Sequence, residues 1–220
     1  MFFAGDLVNV PDRASEWFDD NRGNAFFPTL QGRANYSLEK NGVTTNYTGG
    51  ELIQHAPLFG AIGNHEVMGR WDGESSLNDQ FNNSYLRAAA AQIAQQLNIT
   101  VSQDWLQDNS FNANTYEEIF TLPQNSPGGE LYYAVTFGDL RLVVPYITNM
   151  WRTPSLAKHA KGRFRESDRD LKNPVNWGYG PHIFEPIKRG SLQYNWLKSE
   201  LESREFQQAE ILDSYLVLSL

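Results

Sequence analysis

The sequence predicts a mixed α/β (α+β-like) fold, and three features support this. Two short apolar runs, at 1–5 and 56–63, each end in a glycine followed by polar residues, which is typical of buried strands that stop at a sheet edge. Residues 131–148 form two segments rich in Tyr, Val, Phe and Leu, the pattern of a β-hairpin. Residues 84–99 and 191–205 carry apolar side chains at helical spacing.

The first half of the chain is predicted to contain the two buried strands and little other regular structure. A helix is expected to begin near Pro11, since proline is favoured in a first helical turn. Residues 20–50 are rich in Asn, Gly, Thr and Tyr, so we predict a loop with a hairpin at Asn41-Gly42. Residues 51–56 are expected to end a short helix before the second strand.

The second half is predicted to alternate helices with strands. Residues 84–99 include four consecutive alanines, the best helix former. Gly138-Asp139 is the expected turn of the hairpin, and 191–205 is an amphipathic helix. Residues 214–220 would form a further buried strand. Because no repeat, low-complexity segment or linker interrupts the chain, we predict a single domain over 1–220.

Composition excludes several classes of function. The chain has 220 residues and a net charge of -8, which argues against nucleic acid as the main partner. It contains no cysteine, so disulfides, thiolate zinc sites and cysteine nucleophiles are excluded. No run reaches the ~18 apolar residues of a membrane span. Oligomeric state and cellular location are not determined by composition.

Each of the two predicted strands is followed by residues whose side chains can bind a metal ion or transfer a proton. Gly5-Asp6 ends the first run, and Gly63–Glu66 (Gly-Asn-His-Glu) ends the second. A Gly-Asp pair alone usually marks a turn, as at Gly138-Asp139. If both strands are parallel, however, their tips meet at one edge, where open α/β sheets bind ligands. Carboxylate and amide oxygens suit hard cations, and an imidazole beside them can protonate a leaving oxygen.

These motifs resemble the calcineurin-like metallophosphoesterase superfamily. "GDLVN" at 5–9 and "GNHE" at 63–66 match consecutive blocks of that superfamily, and "GSLQYNWLKSEL" at 190–201 resembles a helix start of its purple-acid-phosphatase-like branch. The resemblance implies a two-layer β-sandwich flanked by helices. It also implies a dinuclear centre of Mn, Fe or Zn that hydrolyses phosphomonoesters or phosphodiesters. That branch is often extracytoplasmic, so an extracytoplasmic or secreted location is an expectation of the resemblance.

The resemblance also assigns roles to individual residues. Asp6 would bridge the two metal ions, and Asn64 would ligate the second ion. His65 would contact the phosphoryl group and act as acid toward the leaving oxygen in an in-line attack by metal-bound hydroxide, with Glu66 orienting His65. From its place in a Gly- and Pro-rich loop, His182 is a further candidate for substrate contact.

Two departures from the family pattern limit the assignment. Asn9 stands where purple acid phosphatases carry a metal-binding tyrosine, so tyrosinate chemistry is not expected. The family's Asp-x-His block would precede Asp6, and no Gly-His-x-His occurs in the chain. We therefore expect a central piece of the enzyme, truncated at both ends.

Two alternatives stay open at this point. The chain could be an inactive remnant that at most binds phosphate or a single loose metal ion. It could also be a sugar- or partner-binding module, which the 13% aromatic content suggests. The aromatic residues fall largely on predicted strand and helix faces, where core packing is their more common use.

Overall fold

The computed structural model describes residues 1–18, 23–67, 84–148 and 182–203. The strands in these ranges are β1 (Phe2–Phe3), β2 (Tyr36–Lys40), β3 (Val43–Tyr47), β4 (Phe59–Gly60), β5 (Tyr133–Phe137) and β6 (Leu140–Val144). The α-helices are α1 (Ala14–Trp17), α2 (Phe26–Leu30), α3 (Arg87–Gln96), α4 (Gln103–Asn109), α5 (Asn114–Ile119) and α6 (Leu192–Leu201). This mixture of helices and small sheets confirms the coarse α/β class, whereas the β-sandwich stays a prediction.

Strands β1 and β4 pair in parallel, which is the condition under which the sequence places their polar ends together. Phe2 lies opposite Phe59 and Phe3 opposite Gly60, and the Ala61 amide donates to the Phe3 carbonyl at 2.8 Å. Because the strands run in the same direction and in register, the segments that follow them leave the same edge of the pair. The polar residues after each strand therefore lie together.

The two predicted hairpins are present, each with a turn that needs positive φ. Asn41 and Gly42 have φ of 55° and 75°, which suits a tight two-residue connection between β2 and β3. Gly138, with φ of 54°, lies in the turn between β5 and β6. The β2–β3 hairpin is almost fully exposed, whereas Tyr133 at the start of β5 is buried in the core.

Buried tyrosines attach β4 to the rest of the core. The hydroxyls of Tyr116 and Tyr133 both donate to the Gly60 carbonyl, at 2.9 and 2.8 Å. Burial raises the pKa of both phenols well above the ordinary value, so both stay protonated as donors at neutral pH. The strand that leads into Gly63 is thus held by side chains from α5 and β5.

Several helices differ from the sequence prediction. The predicted helix end at 51–56 is a hydrogen-bonded turn, in which the amides of His55 and Ala56 both donate to the Leu52 carbonyl at 3.1 Å. Helices α2 and α4 were not predicted. Helix α2 packs its aromatic side chains against Trp17, and the ring centroids of Phe26 and Trp17 are separated by 5.6 Å. Residues 214–220 lie outside the described residues.

Helix α6 is capped and attached by polar contacts. The Ser191 hydroxyl accepts from the Tyr194 amide at 3.3 Å, which caps the helix. The buried Gln193 side chain accepts from the Tyr146 amide at 2.7 Å and donates to the Tyr146 carbonyl at 3.0 Å, as a neighbouring strand would. Among the helices of the described ranges, none has both the length and the apolar character to span a bilayer.

Candidate functional site

Two glycines allow the ends of β1 and β4 to come into contact. Gly5 has φ of +104°, and a Cβ there would lie 2.4 Å from the Gly63 amide nitrogen. A Cβ on Gly63 would lie 2.3 Å from Oδ1 of Asp6 and 2.9 Å from Oε2 of Glu66. Real Cβ atoms do not approach so closely, so both positions require glycine. The sequence motifs Gly-Asp and Gly-Asn-His-Glu thus have a steric reason.

Asp6 presents an exposed carboxylate from a left-handed backbone conformation, with φ of 54°. Its Oδ1 accepts a hydrogen bond from the His65 amide at 3.1 Å. One end of the Asn64 side-chain amide lies 3.3 Å from both carboxylate oxygens. With nitrogen at that end, Asn64 donates to Asp6; with oxygen there, carboxylate and amide oxygens face one another. The second arrangement is the one a cation would stabilise.

Glu66 is buried, with 1% of its surface exposed, and binds backbone rather than solvent. Its Oε2 accepts from the amides of Asp6 and Gly63, both at 2.8 Å, and its Oε1 accepts from the Leu7 amide at 2.6 Å. Burial raises the pKa of this carboxyl, while the three N–H donors act in the opposite direction. These contacts were not anticipated, because the resemblance implied that Glu66 orients His65.

The His65 ring is oriented by a backbone carbonyl that sequence reasoning did not select. Its Nδ1 lies 3.0 Å from the Asn9 carbonyl oxygen, which can only accept, so Nδ1 carries a proton. In the neutral ring the lone pair is then on Nε2. In the sequence, Asn9 stands out only as the position that lacks a tyrosine, and a contact made by its backbone leaves no signal in the side-chain pattern.

His182 lies near the same region through a chain of hydrogen bonds. The amide of its neighbour Ile183 donates to the Thr148 carbonyl at 3.0 Å. The Thr148 hydroxyl donates to the Ile62 carbonyl at 2.7 Å, one residue before Gly63. His182 is partly buried, and its Nδ1 has no hydrogen-bond partner among the residues that the structure describes. Thr148 was not predicted, and substrate contact by His182 stays a prediction.

A polar cavity of about 170 Å³ borders Asp6. It is lined by Asp6, Leu7, Val8, Asn9, Glu16, Asn24 and Phe26. Two of these residues, Asp6 and the buried Glu16, carry carboxylates. A phosphate group beside them would be repelled unless a cation offset their charge.

The residues fit one cation better than two. Asp6 and Asn64 offer hard oxygen donors at one point, the type of ligand that Mn, Mg or Zn accept. Within the part of the chain that the structure describes, no group of three or more His, Cys, Asp or Glu side chains is placed to hold a metal ion.

No family model, curated protein or solved structure matches this chain. The resemblance to metallophosphoesterases accordingly rests on the sequence motifs at 5–9, 63–66 and 190–201. It stays a prediction about fold and activity.

The contact between the two strand ends leads to a stability prediction. Gly63→Ala should destabilise the protein by about 1–3 kcal/mol, because the added methyl overlaps Asp6 and Glu66. Gly50→Ala is the matched control, since its Cβ would meet only Leu52, at 3.7 Å, and should change stability by about 0.5 kcal/mol or less. Urea unfolding of both variants measures the difference. Equal losses would show that the strand ends are not in contact.

Proposed function

We propose that this protein hydrolyses phosphoesters, as a phosphomonoesterase or phosphodiesterase, with metal ions bound at the ends of β1 and β4. One observation carries the proposal. A carboxylate at Asp6 and a Gly-Asn-His-Glu segment meet at one sheet edge, with Asp6 and His65 hydrogen-bonded across 59 positions of sequence. A carboxylate, an amide and an imidazole at one place would suit metal-assisted phosphoryl transfer.

Asp6 and Asn64 would hold the metal. The Asn64 amide would turn its oxygen toward the ion, exchanging its hydrogen bonds to Asp6 for coordination. When bound, the metal would supply positive charge for the phosphoryl oxygens and lower the pKa of a water molecule. This charge is needed, because Asp6 and Glu16 border the adjoining cavity.

His65 would supply the proton for the leaving oxygen. In the imidazolium form both ring nitrogens carry protons, and Nδ1 stays hydrogen-bonded to the Asn9 carbonyl. The Nε2 proton is then available to the leaving group as the ester bond breaks. The hydrogen bond from the His65 amide to Asp6 keeps the ring next to the proposed ion.

A second candidate function is the binding of a single ion or a phosphate without turnover. It is favoured by one observation: among the described residues, no cluster of three ionisable ligand side chains accompanies the Asp6–Asn64 pair. A dinuclear centre with open positions needs more protein donors than this pair supplies. The two candidates differ in metal stoichiometry as well as in activity.

The test uses the purified 220-residue chain. It is loaded with Mn(II) or Zn(II), dialysed and analysed for bound metal, then assayed with an aryl phosphate and a bis-aryl phosphodiester before and after chelation with EDTA. We expect the metal-loaded chain to turn over at a rate within about tenfold of the usual 1–10³ s⁻¹. Chelation with EDTA should abolish this turnover. One bound ion without turnover supports the second candidate, and neither ion nor turnover overturns both.

A further inference from the structure

We propose that Glu66 is a positioning residue whose buried carboxylate holds the Gly5–Leu7 turn and so fixes Asp6 beside Asn64. The link from this turn to metal binding rests on the proposed function, but the structural role of Glu66 does not. The role differs from orienting His65, because the carboxylate contacts the backbone of the neighbouring strand end.

The Glu66 carboxylate satisfies three backbone N–H donors. The amides of Asp6 and Gly63 share Oε2, and the amide of Leu7 occupies Oε1. Asp6 and Glu66 are 60 positions apart, so one side chain ties together two strand ends that are distant in sequence. A buried N–H group without an acceptor costs free energy. The two strand ends can therefore lie together because the Glu66 carboxylate accepts hydrogen bonds from both.

The turn that Glu66 holds has an unusual backbone shape. Gly5 and Asp6 have consecutive positive φ values, 104° and 54°. Aspartate adopts the left-handed region more readily than most residues with a Cβ, but the conformation still costs free energy and persists where the surroundings hold it. Successive amides in turns of this type form a concave site for an anion. Here the Glu66 carboxylate occupies the concave site, since it accepts from Asp6 and Leu7 in succession.

The turn also positions the candidate metal ligands. The backbone amide of Asp6 donates to Glu66. The side-chain carboxylate of Asp6 accepts a hydrogen bond from the His65 amide at 3.1 Å and lies 3.3 Å from the Asn64 side-chain amide. If the backbone turn relaxes, the Asp6 carboxylate moves away from these partners. Glu66 therefore acts on the metal through Asp6, without contacting it.

The test compares Glu66→Gln with Glu130→Gln. A glutamine has one carbonyl oxygen, so at position 66 its NH₂ group would face at least one of the three amide donors. Glu130 is a matched control, because it is also buried (8% exposed) and accepts from the Leu122 amide at 3.2 Å and from the Gln124 side chain at 2.7 Å. Both variants lose one formal charge and one buried carboxylate.

Two readouts are measured on the full chain: amide hydrogen exchange by NMR and Mn(II) affinity. In the wild type, the amides of Asp6, Leu7 and Gly63 should be protected although Asp6 is exposed. Glu66→Gln should speed exchange at these amides by about tenfold or more, relative to the amides of β5–β6, as loss of a hydrogen bond to a charged group predicts. It should weaken Mn(II) binding by about 10–100-fold, the range for groups that orient metal ligands. Glu130→Gln should change neither quantity by more than about twofold.

The outcomes separate this inference from the proposed function. Unprotected amides in the wild type would overturn it without the need for any variant. Faster exchange spread evenly over the chain, or equal effects of the two variants, would also overturn it, because Glu66 would then be only a general stabilising residue. Selective loss of protection at the three amides, in a protein that binds no Mn(II) even as wild type, would support the positioning role and contradict the proposed function. Glu66→Asp, whose side chain is one methylene too short, is the second variant if Glu66→Gln does not fold.

Discussion

Asp6→Asn is expected to weaken metal binding by more than about 100-fold, beyond the 10–100-fold typical of groups that only orient a ligand. The substitution removes the carboxylate charge and leaves an amide facing the Asn64 amide at 3.3 Å. Two neutral amides give a divalent ion little compensation for its lost water. Turnover of an aryl phosphate should fall with metal occupancy, and metal analysis after dialysis measures that occupancy directly.

The matched control is Asp139→Asn. Asp139 follows Gly138 in the turn between β5 and β6, so this variant makes the same charge change in a second Gly-Asp dipeptide, away from the segments that follow β1 and β4. Metal content and turnover of this variant should equal those of the wild type. Full metal occupancy in Asp6→Asn would contradict the role of Asp6 as a ligand.

His65→Gln is expected to keep the metal and to lower turnover by about 10²–10⁴-fold, the usual contribution of a positioned proton donor. The loss should be large for an alkyl phosphate, whose leaving oxygen needs a proton. It should be much smaller for an activated aryl phosphate, whose leaving group departs as an anion. The hydrogen bond from the residue 65 amide to Asp6 is a backbone contact, so the variant should retain it.

His55→Gln serves as the control for this series. His55 is exposed in a turn, and its backbone amide donates to the Leu52 carbonyl. It should retain wild-type rates on both substrates. Equal losses on alkyl and aryl phosphates in His65→Gln would remove the acid role and leave His65 with phosphoryl binding alone.

The elements that could be predicted from the sequence are those that local pattern controls. The turn at Asn41-Gly42 was predicted because those residue types tolerate positive φ, and both adopt it. The helix around 84–99 was predicted from its alanines and is present as Arg87–Gln96. Helix α4 could have been found from Ser102, whose hydroxyl accepts from the Trp105 amide at 3.0 Å, a common helix cap. Helix α2 has no comparable capping signal in the sequence. Its aromatic residues pack on Trp17, which is a tertiary contact that the local sequence does not indicate.

By itself, the sequence determined which side chains could perform chemistry at the strand ends and that both ends carry glycine. Apolar runs that stop at Gly5 and Gly63 identify Asp6, Asn64 and His65 as neighbours if the strands are parallel, because the carboxyl ends of paired parallel strands lie at the same end of the sheet.

Only the tertiary structure decided how these residues are held. Glu66 contacts three backbone amides, and His65 contacts the Asn9 carbonyl. Backbone amides and carbonyls are present at every position, so no residue pattern indicates which of them a side chain will meet. Their partners are set by the path of the chain over some 60 positions of sequence, where burial of polar groups requires each donor to find an acceptor.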